Sequence, residues 1–304
     1  MRGDVVRELS GFGEFTPRPF PIDLRRVGAL ATRLQAAEGS ISQAACTWFK
    51  EHDIRIDITD EHGDALRTDD LPSAQGRGTI LAGRHRKGTE AVFLAAALGG
   101  VGVEMSIFAK PPSMQAQGVA ALAEKIAESD EAAATWAAQG ILPLITTGVA
   151  KDRPLAKPIQ KLLWWASMRK GLPAAEAVRA SNEASSAIAA ERLGAGEAIL
   201  MFPQGQIRWA KRQWQPGIGR LLHALTPAQR ENTDVQFFDI QNYPSYRYVA
   251  TMLADAPPPA DPVHVRLSPA YPAETFMNVA ENGPHAVTRL LQDSFEWHLG
   301  DAHE

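Results

Sequence analysis

Short apolar, β-branched runs alternate with helix-like stretches along most of this chain, and that alternation most limits what it can fold into. Ile54-Arg-Ile-Asp-Ile58 alternates apolar and charged residues as a half-buried strand does. Thr79-Ile80-Leu81, residues 101–108, 141–149, Ala198-Ile-Leu-Met-Phe202, 235–240 and 263–267 are the other strand candidates. Helix candidates lie between them. One begins near Glu90 and is stopped by Gly99-Gly100; residues 113–139 are alanine-rich; Pro173 opens a long helix that reaches Leu193 before Gly194; residues 217–225 and 285–299 supply two more. Strands joined through helices give an α/β fold, a largely parallel mixed sheet flanked by helices. An N-terminal helical region precedes it. There Leu24, Val27, Leu30, Ala31 and Leu34 form one apolar stripe, and Ile41, Ala44, Ala45, Trp48 and Phe49 form another that Ser40 can cap. Residues 1–22, rich in proline and glycine, read as an arm. The expected division is residues 1–60 as arm and helices and residues 61–304 as the main domain.

Composition removes several classes of function. A formal net charge of −4 gives no nucleic-acid signature. The single cysteine, Cys46, allows neither an internal disulfide nor a cysteine-based zinc site, and reads as a small buried apolar residue. The first residues lack the apolar core of a signal peptide, and the longest uncharged run, residues 132–150, is broken by Gly140 and Pro143. A cytoplasmic location is expected. Two segments suit a lipid–water interface: the helix carrying Arg25, Arg26 and Arg33, and the adjacent Trp164 and Trp165 flanked by basic residues. Packing against the main domain accounts for them equally well.

In a parallel sheet, chemistry gathers beyond the carboxyl ends of strands. The segment after Thr79-Ile80-Leu81 carries His85 and Glu90 between Gly83 and the helix start. Within one α-helix two side chains five residues apart would diverge by about 140°. They meet only if His85 sits in the turn and folds back over the helix, where a carboxylate orients an imidazole as a general base. A surface turn with an ordinary polar histidine is the alternative. A second strand end reads Phe202-Pro-Gln-Gly-Gln-Ile-Arg208, and a third Thr147-Gly-Val-Ala-Lys-Asp-Arg153. Arg153, Arg208, Lys211 and Arg212 point to an anionic substrate, most simply a phosphate, unless they form a solvated face. The other histidines have no metal-ligand spacing, and the chain holds neither a nucleotide-binding glycine loop nor a G-x-S-x-G nucleophile elbow.

These segments, in this order, resemble the glycerolipid acyltransferases of the lysophosphatidate (1-acylglycerol-3-phosphate) type over residues 75–270. The family's H-x-x-x-x-D block is matched by His85-Arg-Lys-Gly-Thr-Glu90, its G-x-(I/F)-x-x-R block by Gly148-Val-Ala-Lys-Asp-Arg153, and its F-P-E-G-T-R block by Phe202-Pro203-Gln204-Gly205-Gln-Ile-Arg208. The resemblance implies acyl transfer without metal or cofactor, with acyl-coenzyme A or acyl carrier protein as co-substrate and a lysophospholipid or glycerol phosphate as acceptor. It implies His85 as base, Glu90 as its orienting acid, and Arg153, Phe202, Pro203, Gln204, Gly205 and Arg208 as substrate contacts. It also implies a role in phospholipid biosynthesis as a peripheral protein on the inner face of the cell membrane. Three departures stand out: Glu90 replaces aspartate, Gln204 replaces a charged glutamate, and the arginine is displaced by one to Arg208. They leave two further readings open: an acyltransferase acting on a non-phosphate acceptor such as a glycolipid or amino-lipid, and a non-catalytic acyl- or lipid-binding protein.

Overall fold

The computed structural model describes residues 41–84, 90–109, 141–143, 175–204, 213–243 and 261–300. The strands are β1 (Ile56–Thr59), β2 (Gly78–Gly83), β3 (Met105–Ala109), β4 (Ile141–Pro143), β5 (Ala198–Met201), β6 (Thr233–Gln241) and β7 (Val263–Pro272). The α-helices are α1 (Ile41–Glu51), α2 (Glu90–Gly100), α3 (Ala175–Gly194), α4 (Gly217–Ala224), α5 (Pro227–Glu231) and α6 (Pro284–Leu299), with 3-10 turns at Thr68–Asp70, Pro72–Gln75 and Ala273–Asn282. Contacts group the chain into two units. The described part of the smaller is residues 108–109, 141–143 and 175–189, which holds β4 and most of α3; the rest of the described chain forms the larger. α1 and β1 belong to the larger unit, where α1 packs on α2 and β1 is hydrogen-bonded along β7.

In the larger unit the strands lie in the order β1-β7-β6-β2-β5-β3. β3, β5, β2 and β6 run parallel. β7 is antiparallel to β6, and β1 follows β7. The α/β class and the largely parallel mixed sheet expected from the alternation are therefore present.

Side-chain alternation along β6 divides the core. Phe238 faces α2 and joins Leu81, Leu200, Phe93, Phe49 and Val265 in one buried cluster. Its neighbour Phe237 faces the other way, with its ring 6.0 Å from Phe295 of α6 and 6.3 Å from Phe276 and Trp214. Each buried aromatic of this size contributes about 1.5–3 kcal/mol. α4 closes the second face on α6, where the Gly219 amide donates to Thr288 Oγ1 at 3.2 Å. α1 and α2 approach so closely that a Cβ on Gly99 would lie 2.0 Å from the Ser42 carbonyl oxygen. A glycine is therefore required at that crossing.

Two polar ties hold the edges. Arg77, just before β2, grips Asp234 of β6 with Nε at 2.6 Å and Nη2 at 2.8 Å, and this pairing holds the guanidinium above its ordinary pKa. Beside β7, His298 Nδ1 contacts Glu61 Oε2 at 2.7 Å while Nε2 meets Tyr271 Oη at 2.5 Å. Burial, helped by the Glu61 charge, pushes the Tyr271 phenol up.

Candidate active site

The chain leaves adjacent strands β2 and β5 toward opposite faces. After β2 it enters α2, on the Phe238 face; after β5 it runs to α4, on the Phe237 face. In α/β sheets, ligands are commonly bound at the strands' carboxyl ends beside such a switch point. Register brings the exits together, with Ala82 opposite Met201 and Gly83 opposite Phe238. Three segments thus emerge side by side: Arg84 from β2, Phe202-Pro203-Gln204 from β5, and Gln241-Asn242-Tyr243 from β6.

The backbone at this end is closely packed. A Cβ on Gly83 would lie 2.6 Å from both the ring and the carbonyl oxygen of Phe238, so no larger residue fits there. The Phe202 ring stands edge-on to Phe238, with centroids 5.8 Å apart. Arg84 turns to the other face. Its guanidinium pairs with Glu296 of α6 and lies 5.1 Å over the Phe295 ring. The residue immediately before His85 is thereby anchored to the last helix.

Glu90 opens α2 and is 1% exposed. Tyr243 Oη donates to Glu90 Oε1 at 2.5 Å. Asn242, at a left-handed φ of 56°, makes the turn that brings Tyr243 back from the end of β6. The phenol ring packs 6.0 Å from Phe93, which in turn packs 4.9 Å from Phe49. Burying a carboxylate without donors is costly. Here the Tyr243 hydroxyl donates to it, and its position in the first turn of α2 suits a negative charge.

Gln204 is the second buried polar group at this end, also 1% exposed. Neither its Oε1 nor its Nε2 has a hydrogen-bond partner among the described residues. The preceding Pro203 carbonyl accepts from the Gln215 amide at 2.8 Å.

Of the residues singled out from sequence, Phe202, Pro203 and Gln204 follow β5 at this end, and Glu90 opens α2, where it meets Tyr243 from beyond the end of β6. His85, Arg153, Gly205 and Arg208 lie outside the described residues, as do Lys211, Arg212, Trp164 and Trp165. Sequence reading missed Tyr243. The rule that drew attention to His85 and Phe202, position just past a strand's carboxyl end, also fits Tyr243, but nothing local to it marks a partner so distant in the chain. Among the described residues no helix is long and apolar enough to cross a membrane. No protein-family model matches the chain, and no curated protein matches it.

Proposed function

We propose that this chain is an acyltransferase that moves a fatty acyl group from acyl-coenzyme A or acyl carrier protein to a hydroxyl of a lysophospholipid or glycerol phosphate. One observation supports the reading: β2 and β5 are neighbouring parallel strands in register, so Arg84, the residue before His85 in sequence, and Phe202-Pro203-Gln204 leave the sheet side by side. Segments that far apart in sequence have no local reason to be neighbours.

In the proposed reaction His85 takes the proton of the acceptor hydroxyl and Glu90 holds the imidazole. The hydroxyl oxygen attacks the thioester carbonyl. The carbon–sulfur bond breaks, and the departing thiolate receives the proton from the imidazolium. Arg153 and Arg208 hold the acceptor phosphate, and Gly205 lets the backbone come close to substrate. The reaction is proposed to occur without metal or cofactor, in the cytoplasm, at the inner face of the membrane through the Trp164-Trp165 segment, within phospholipid synthesis.

The test is coenzyme A release from acyl-coenzyme A with a panel of lysolipids. His85→Ala should lower turnover by about 10²–10⁴-fold with the fold intact. No release by the wild-type protein with any acceptor refutes the reading and favours a binding protein. Flotation with anionic vesicles tests the membrane role, and a protein that stays at the bottom of the gradient refutes it. A second reading, an uncharged acceptor such as a glycolipid, is favoured by Gln204, because a neutral amide with both donor and acceptor open suits hydroxyls better than a phosphate. Michaelis constants unchanged in Arg153→Ala and Arg208→Ala would select it.

A further inference from the structure

We infer that Tyr243 is the positioning residue of Glu90, fixing the carboxylate through its phenol so that the acid of the His85 segment has one orientation. The inference rests on the acyltransferase reading for its role in turnover. Its geometry stands apart from that reading.

Both side chains are buried, at 1% and 4% exposure, and their oxygens are 2.5 Å apart. A tyrosine holds such a partner well. Its ring has few rotamers, and here Phe93 packs against it at 6.0 Å, so the hydroxyl is delivered from a rigid support. Glu90 needs that support more than an aspartate would, since its extra methylene adds a rotatable bond that the protein must fix. The phenol comes from the end of β6 and the carboxylate from the start of α2, so the pair also ties together two chain exits at the switch point. Tyr243 touches no reacting atom in this scheme and acts through Glu90.

The experiment compares wild type, Tyr243→Phe, Glu90→Gln and the double variant, each confirmed folded by circular dichroism. A hydrogen bond to a charged group is worth enough that Tyr243→Phe should lower kcat about tenfold or more while leaving the Michaelis constants of donor and acceptor unchanged. In the Glu90→Gln background the same change should cost little, because the partner is already altered. The carboxyl carbon resonance of Glu90, identified in ¹³C spectra by its loss in Glu90→Gln, should shift in Tyr243→Phe. An unchanged resonance overturns the inference whatever the activity. Equal kcat losses in both backgrounds overturn the positioning role. If wild type transfers no acyl group and the resonance still shifts, the acyltransferase reading falls and the hold of Tyr243 on Glu90 stands.

Discussion

Replacing Gln204 with methionine should stabilise the free protein while impairing its function. Gln204 is 1% exposed, and both of its amide atoms lack partners among the described residues. A buried polar group left unsatisfied costs about 1–3 kcal/mol. Methionine is unbranched, of similar length and adaptable in shape, so it fills the space without the desolvated amide. The expected gain is therefore about 1–3 kcal/mol, less any packing mismatch. For a domain of this size that is about 2–4 °C in Tm for each kcal/mol. Urea unfolding at neutral pH reads it as a higher midpoint at unchanged slope. Gln204→Glu gives the opposite sign. A carboxylate at the same position carries an unpaired buried charge and should cost several kcal/mol, less in acid, where the group is neutral. If Gln204→Met lowers stability by about 1 kcal/mol or more, the amide is already satisfied within the protein and does not wait for a ligand. If the substitution stabilises and the acceptor Michaelis constant rises, the orphaned amide is one the substrate completes, an example of stability given up at a functional site.

Three further outcomes follow from the geometry. Arg77→Met removes both hydrogen bonds to Asp234 and should lower the urea-unfolding stability by about 1.5–3 kcal/mol; an unchanged midpoint would mean the pair contributes nothing. Gly99→Ala places a methyl 2.0 Å from the Ser42 carbonyl, so α1 and α2 must separate at a cost of about 1–3 kcal/mol, seen as a lower Tm. Because the Tyr271 phenol is raised above its free value of 10.0, its neutral form is favoured by folding; that contribution is complete below pH 10.0 and is lost as pH climbs through the raised value. The stability of wild type relative to Tyr271→Phe, read from thermal melts, should therefore be constant below about pH 10.0 and fall as pH rises above it, and parallel curves at all pH values would contradict the assignment.

Sheet and helices were largely legible because their signals are local. The apolar run at β2, the short run at β5 and the stripe of α6 each carry their own periodicity. The misplacements have physical causes. The strand read from residue 101 begins at Met105, because α2 ends in a turn in which the amides of Val101 and Val103 both donate to the Leu98 carbonyl and Gly102 takes φ 75°. The strand read as ending at residue 267 continues to Pro272. Ser268-Pro269 looks like a stop, but the β6–β7 register shifts at Phe237, and Ser268 Oγ accepts the Phe237 amide at 2.9 Å in place of a ladder partner. The direction of β7, the seat of β1 on it and the pairing of Glu90 with Tyr243 depend on residues distant in the chain, which no local pattern encodes.

The seat of β1 on β7 sets an order-of-synthesis problem. Residues 56–59 leave the ribosome long before residues 263–266, against which they pair. Through that interval the cluster around Phe49, Phe93 and Leu94 lacks Val263, Val265 and Leu267, which complete it. The half-made chain thus offers an apolar surface and an open strand edge together, the combination that recruits chaperones and favours aggregation. Closure must await β7, and a sheet completed by its most distant partners folds slowly.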